Sequence, residues 1–267
     1  MKKRRRVRKV ANILEVNNVT KTFGGIVALQ DVSINVPERG VVGLIGPNGS
    51  GKTTLFNVVS GFYVPDKGEV WYHNGGSSER IDGLNPNEVF AKGIVRTFQI
   101  PRLFKSLTVL ENLLLTPYGQ KGEHPMKAIN PETWQEEEKA LAKKAIELLK
   151  RFGLVEYAHV KVSELSGAHM KLVETIRGLM TPARLFLLDE PAAGVEATAA
   201  HNLFRLVREL NANGYTFLIV EHRIEVLMQY VDYVYVLHNG QLLAEGKPDE
   251  VVSDKRVIEA YIGEANA

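Results

Sequence analysis

One run of eight residues constrains this chain more than any other: Gly46-Pro47-Asn48-Gly49-Ser50-Gly51-Lys52-Thr53. It matches the pattern G-x-x-x-x-G-K-[ST] in full, the P-loop. The glycines allow backbone conformations that aim several N–H groups inward, and a helix that starts there adds partial positive charge. Such a loop works only between a strand and a helix. Both flanks are present: Val41-Val42-Gly43-Leu44-Ile45 is a short apolar run suited to a buried strand, and a helix follows near Lys52. The run therefore calls for an α/β sheet with a nucleotide triphosphate at a strand end. Residues Gly46 to Thr53, with Thr54, are the expected phosphate contacts. Lys52 would reach the β- and γ-phosphates, and the Thr53 hydroxyl would ligate Mg²⁺.

A second constellation completes the chemistry. Leu185-Phe186-Leu187-Leu188 reads as a central strand and is followed directly by Asp189-Glu190. Both carboxylates then emerge at the C-terminal edge of the sheet, where open α/β sheets bind ligands. Asp189 is placed to hold the Mg²⁺ shell, and Glu190 to polarise the attacking water as general base. To this point the sequence reads as a P-loop ATPase or GTPase.

The rest of the chain fits around that core. Leu14 to Val36 reads as strands that turn at Gly24-Gly25 and close at Pro37, and Val70-Trp71-Tyr72 before Asn74-Gly75-Gly76 adds another antiparallel piece. Asn85-Pro86 predicts a helix start and Gly93 its stop. From Leu107 to about Gly153 the period is helical, with Asn130-Pro131 as cap and first turn and Leu141, Ala145, Leu148, Leu149 and Phe152 on one face. Strands return at Leu185–Leu188 and Phe217–Val220, and Asn239-Gly240 marks a hairpin between Tyr233–Leu237 and Gln241–Ala244. The fold class expected is α/β: a P-loop NTPase (RecA-like) core with an antiparallel β subdomain and an inserted α-helical subdomain at about 100–180. There is no internal repeat, so residues 13–267 form one ATPase unit behind a basic tail at 1–12.

Composition limits the alternatives. Among 267 residues there is no cysteine, which excludes disulfides, thiolate metal sites and thiol nucleophiles. The net charge of +2 conceals a run, Lys2, Lys3, Arg4, Arg5, Arg6, Arg8 and Lys9, worth +7, which leaves the remainder at −5. That run can stay a solvated tail, meet anionic lipid or touch nucleic acid. The segment after it lacks the apolar stretch of a secretory signal, and no apolar run approaches the ~20 residues of a membrane span. Whatever membrane process the chain serves, another protein is expected to cross the bilayer.

The order and spacing of further residues give a family resemblance. Leu165-Ser166-Gly167-Ala168-His169 ends in the region 23 residues before Asp189, counted from Ser166, and resembles the LSGGQ signature of ABC ATPases. Gln99 resembles the Q-loop glutamine, Ala193-Gly194-Val195-Glu196 the D-loop, His222 the switch histidine, and Phe23 the aromatic residue that stacks on adenine. The likeness runs from Leu14 to Gly263. Within ABC ATPases it is strongest to the ATP-binding subunits of branched-chain amino acid importers, carried by Ile94-Val95-Arg96-Thr97-Phe98-Gln99, Leu107-Thr108-Val109-Leu110-Glu111-Asn112, Asp189-Glu190-Pro191-Ala192-Ala193-Gly194 and Tyr261-Ile262-Gly263-Glu264. Subunits for urea and other amides look similar.

The resemblance implies an ATPase peripheral to the cytoplasmic face of the cell membrane. It would work with transmembrane permease subunits and a second ATP-binding subunit, a related chain or a copy. An extracytoplasmic substrate-binding protein would belong to the same system without touching this chain. It also implies a head-to-tail pair in which each signature caps the partner's nucleotide, with His222 steadying the γ-phosphate and Gln99 near the metal. Ile100-Pro101-Arg102-Leu103-Phe104 is too apolar for an ordinary loop, and we read it as part of a groove for a permease helix or else as packing for the helical lobe. Two departures stand out: Ala168-His169 replace the usual Gly-Gln, and Val195-Glu196 replace the commoner Leu-Asp or Leu-Asn. The alternative readings are a nucleic-acid-associated ABC ATPase, disfavoured because there is no second ATPase unit and no long coiled-coil insertion, and a regulatory subunit that binds ATP without turnover, disfavoured because Glu190 and His222 are intact.

Overall fold

The computed structural model describes residues 11–117, 119–120, 130, 132 and 134–265; the basic run at 2–9, Pro131 and the side chains of Ile262-Gly263-Glu264 lie outside the described residues. Two sheets carry the fold. The first is antiparallel, ordered β2-β1-β4-β5, from β1 (Asn12–Phe23), β2 (Ile26–Pro37), β4 (Lys67–Asn74) and β5 (Ser77–Arg80). Val16 pairs with Ile34 and Val19 with Val32, and a register shift between Val16 and Val19 leaves both buried although they are three residues apart.

The second sheet is ordered β10-β9-β3-β8-β7-β6, from β3 (Val41–Ile45), β6 (Ile94–Arg96), β7 (Leu185–Asp189), β8 (Thr216–Val220), β9 (Tyr233–His238) and β10 (Gln241–Gly246). All but β10 run parallel. Every residue of β3, β7 and β8 is buried, which is why these strands read as continuous apolar runs without alternation. Parallel register has one decisive result: the residues after β3, β6, β7 and β8 all emerge on the same edge.

Helices cover this frame. The glycine-rich loop leads from β3 into α1 (Lys52–Val59), and α2 (Pro86–Ala91) starts with a capping box of Asn85 and Glu88. Between β6 and β7 lie α3 (Val109–Leu114), α4 (Gln135–Arg151) and α5 (Gly167–Leu179). The helical period expected from Leu107 to Gly153 is thus interrupted. Thr108 and Glu111 cap α3, and Thr116-Pro117 follows its end, where proline disfavours continued helix. α4 begins at Gln135 after Trp134; at the expected cap the Asn130 side chain accepts the Glu132 N–H at 3.2 Å, and Pro131 lies outside the described residues. Its first turn holds Glu136, Glu137 and Glu138 and its last Lys150 and Arg151, charges that suit the helix dipole at both ends. α6 (Ala197–Ala212), α7 (Ile224–Leu227), α8 (Pro248–Val252) and α9 (Lys255–Ala265) complete the chain. Among the described residues no helix is long and apolar enough to cross a membrane.

Candidate functional site

The glycine-rich loop is shaped by contacts that no side chain could share. At Gly46, φ is +150°, and a Cβ there would run into the Leu237 carbonyl and the Ser50 hydroxyl. Gly51 sits at φ +101° as the N-cap of α1, pressed on the Ala28 carbonyl of β2, and offers no side chain to the first N–H groups of the helix. A helix start without a side-chain cap is the kind of place where an anion binds. Lys52 is buried, and its ammonium donates to the carbonyls of Gly46 (2.6 Å) and Pro47 (2.7 Å). The lysine charge is therefore held inside the loop.

Three sequence-predicted residues from three strand ends meet at the same edge of the sheet. Gln99, after β6, donates its Nε2–H to Glu190 Oε2 at 3.0 Å. His222, after β8, stands 2.8 Å by its Nε2 from Glu190 Oε1. Glu190, directly after β7, is thereby gripped on both carboxylate oxygens. Its backbone sits at φ +49°, a left-handed conformation that a non-glycine residue adopts only under constraint. The constraint is visible: Glu190 donates its N–H to the Val220 carbonyl, and its own carbonyl accepts from Lys171 Nζ at 2.7 Å.

Asp189 has a partner that the sequence reading did not assign. Arg96 donates to its Oδ2 at 3.0 Å, and only 6% of each side chain is exposed. The same guanidinium donates to Asn57 Oδ1 and Ser60 Oγ and lies near the rings of Phe56, Phe62 and Phe98. Burial pushes the Arg96 guanidinium below its ordinary pKa, and the Asp189 carboxylate opposes that shift. Arg96 is legible in hindsight as a lone cation at the end of an apolar strand. Glu221 is a second omission. It follows the apolar strand Phe217–Val220 just as Asp189-Glu190 follows Leu185–Leu188, and its buried carboxylate accepts the N–H groups of Ala192, His222 and Arg223.

The signature lies at the start of α5. Ser166 is its N-cap and accepts from the His169 N–H at 3.2 Å. Gly167 is exposed and Ala168 half-buried, while the His169 ring packs on Tyr157 with centroids 4.7 Å apart. Two residues further along α5 matter as well. Lys171 donates to the carbonyls of Glu190 and Ala193, and Glu174 accepts the N–H groups of Phe98 and Arg102. Burial raises the Glu174 carboxyl pKa, and those two N–H groups pull it back. In the D-loop, Ala193 and Val195 close turns onto Glu190 and Ala192, Gly194 has φ +72°, and Glu196 precedes α6. Phe23, at the end of β1, is edge-on to Tyr63 at 5.0 Å and half exposed.

The oxygen donors fit Mg²⁺. No group of three or more His, Cys, Asp or Glu side chains able to cage a metal occurs among the described residues. Mg²⁺ bound with a nucleotide needs none, since it keeps waters and phosphate oxygens and adds one or two hard protein donors. The Thr53 hydroxyl, the Gln99 amide oxygen and the Asp189 carboxylate are donors of that kind.

A family model for ABC transporters matches residues 29–193, and a model for branched-chain amino acid ATP-binding cassette transporters matches residues 241–267. The "Probable branched-chain amino acid transport ATP-binding protein LivG" of Methanocaldococcus jannaschii is 44% identical over 262 residues, 97% of this chain and 100% of that protein. The high-affinity branched-chain amino acid transport ATP-binding protein LivG of Escherichia coli K12 is 36% identical, over 95% of this chain and 98% of its own length. Among solved structures, the ADP conformation of MJ1267, an ATP-binding cassette of an ABC transporter, aligns with a TM-score of 0.80 at 43% identity, covering 95% of this chain and 99% of that one. A dimeric post-hydrolysis state of the cassette MJ0796 bound to ADP and Pi aligns with a TM-score of 0.72 at 28% identity, over 88% of this chain and 98% of that one.

Proposed function

The chain belongs to the ABC transporter ATP-binding proteins, in their branched-chain amino acid group, and from that premise we propose how its residues drive such an importer. It is the ATP-hydrolysing component. The observation that carries the reading is the double grip on Glu190, with Gln99 on one oxygen and His222 on the other.

The N–H groups of the Gly46–Gly51 loop and the start of α1 bind the phosphates. The Lys52 ammonium, now on the Gly46 and Pro47 carbonyls, turns to the β- and γ-phosphates. Thr53, Gln99 and Asp189 hold Mg²⁺, which when bound spreads the negative charge of the phosphates. Glu190 accepts a proton from the attacking water, and the His222 N–H steadies the γ-phosphate oxygens. Phe23 offers a partly open ring to adenine.

ABC cassettes pair and act with other transporter components, and we assign two surfaces of this chain to those tasks. Ser166, Gly167, Ala168 and His169, at a helix start, face the partner's nucleotide. Phe104, 58% exposed, and Arg102 line a groove of about 430 Å³ together with Phe62, Phe90, Phe98 and Leu115, while Ile100, 81% exposed, lies outside that lining. That groove suits an apolar helix of a permease.

Replacing Glu190 with Gln tests the central role. The amide is nearly isosteric and cannot take up the proton, so ATP binding persists, steady turnover stops and the ATP-bound dimer accumulates in sedimentation. Normal turnover by this variant removes Glu190 from the role of base.

A further inference from the structure

We propose that Glu174 is a positioning residue for Gln99, fastening the loop that carries the glutamine to the signature helix α5 and so delivering its amide to Glu190. The inference rests on the roles given above to Gln99 and Glu190.

The geometry is a staple. Glu174 Oε2 accepts the Phe98 N–H at 3.1 Å, and Oε1 accepts the Arg102 N–H at 2.9 Å. One carboxylate thus holds both ends of the five-residue segment from Phe98 to Arg102. Arg177, one turn further along α5, donates to the Arg102 carbonyl at 2.6 Å. The Arg102 guanidinium closes the loop from the side, 3.8 Å above the Phe98 ring. Between the anchored ends Gln99 and Ile100 are exposed. Among the described residues the Gln99 side chain hydrogen-bonds Glu190 alone, so its place is set by the loop rather than by its own packing.

The residue type supports a specific task. Glu174 is 3% exposed, with Lys171 and Arg177 one turn away on its own face of α5, and at that burial a carboxylate is costly unless its oxygens are satisfied. Its two backbone partners meet that need, and burial of the carboxyl is the price. Lys171, a turn earlier on the same helix, holds the Glu190 carbonyl. α5 therefore grips both partners of the Gln99–Glu190 hydrogen bond, while its first residues form the signature. A shift of that helix start moves the two together.

The test is a double-mutant cycle on ATPase kinetics of the full chain, with hydrogen exchange as a second readout. Glu174→Ala should lower kcat on the order of 10- to 100-fold, the size of effect that misplacing a catalytic group by about 1 Å produces. ATP affinity should stay within about twofold, and exchange at the Phe98 and Arg102 amides should speed up at least about tenfold, as expected for lost protection. In a Gln99→Ala background, adding Glu174→Ala should change kcat by less than about twofold, because the residue acts through Gln99. Multiplicative losses in the double variant, or normal kcat in Glu174→Ala, overturn the proposal. Normal kcat in Gln99→Ala is a different failure: it removes Gln99 from the mechanism and the proposal with it. If Glu174→Ala does not fold, Glu174→Gln replaces it in the cycle. That amide keeps one acceptor and turns an NH₂ toward the other N–H, so the same non-additivity at smaller amplitude supports the staple, and additivity overturns it.

Discussion

Removing the Arg96 guanidinium should damage the protein through Asp189. In Arg96→Met the long apolar stem is kept, so packing against Phe56, Phe62 and Phe98 changes little. What goes is the donor to Asp189 Oδ2 at 3.0 Å, where each side chain is 6% exposed. Breaking one side of a buried ion pair leaves an uncompensated charge and typically costs about 3–5 kcal/mol. With a slope of ~3 kcal/mol per M urea, the unfolding midpoint should fall by roughly 1–1.7 M. Adding Asp189→Asn removes the stranded charge and should restore more than half of that loss. Fluorescence and circular dichroism across a urea series measure both midpoints. A shift below roughly 0.3 M for Arg96→Met, about 1 kcal/mol at that slope, would refute the reasoning, as would a double variant weaker than the single one. The first result would mean that Asp189 finds other donors, and the second that Arg96 acts through Asn57 and Ser60 instead.

Three further outcomes follow from the site. Lys52→Ala removes a charge-assisted contact worth ~1.5–3 kcal/mol, so ATP should bind about 10- to 150-fold more weakly in equilibrium titration. Unchanged affinity contradicts the role of the loop. Ala168→Gly takes a methyl group from the second residue of α5, and in a Glu190→Gln background it should move the ATP midpoint of dimerisation to lower concentration; a midpoint that stays or rises shows the methyl to be harmless. Because burial lifts the Glu174 carboxyl above its ordinary 4.5, the native state binds that proton more tightly than the unfolded chain. The stability it contributes is full below the unfolded value and lost as pH rises through the folded one. Denaturation midpoints of the wild type, relative to Glu174→Gln, should therefore decline across that window, and parallel pH profiles would contradict the assignment.

The parts of the site that the sequence displayed were those built from strand ends and backbone. Gly46 to Thr53, Asp189-Glu190 and the strands before them follow from local pattern, because burial on both faces writes an unbroken apolar run and the chemistry starts where it stops. Gln99, His222 and the signature were legible only through family spacing, since a single glutamine or histidine carries no pattern of its own. Arg96, Lys171, Glu174 and Glu221 are not marked by any local pattern, for a physical reason. Each has a partner distant along the chain, 93 residues for Arg96 and Asp189 and 29 for Glu221 and Ala192, and no local period encodes such a partner. The helical period from Leu107 to Gly153 runs across a break, because apolar spacing does not reveal an interruption between two helices. Thr108 with Glu111, a capping box, was the available sign that a helix starts there.

The left-handed backbone of Glu190 sets the chain's chemistry against its stability. At φ +49° glycine or asparagine would sit more easily, and an ordinary side chain held there forgoes about 1–2 kcal/mol. Neither easier residue carries a carboxylate at the reach of glutamate. A search that ranked substitutions by folding stability alone would therefore favour replacing the residue we propose as general base, and would report a protein without that carboxylate as an improvement. Stabilised variants of this chain have to be selected with position 190 held fixed.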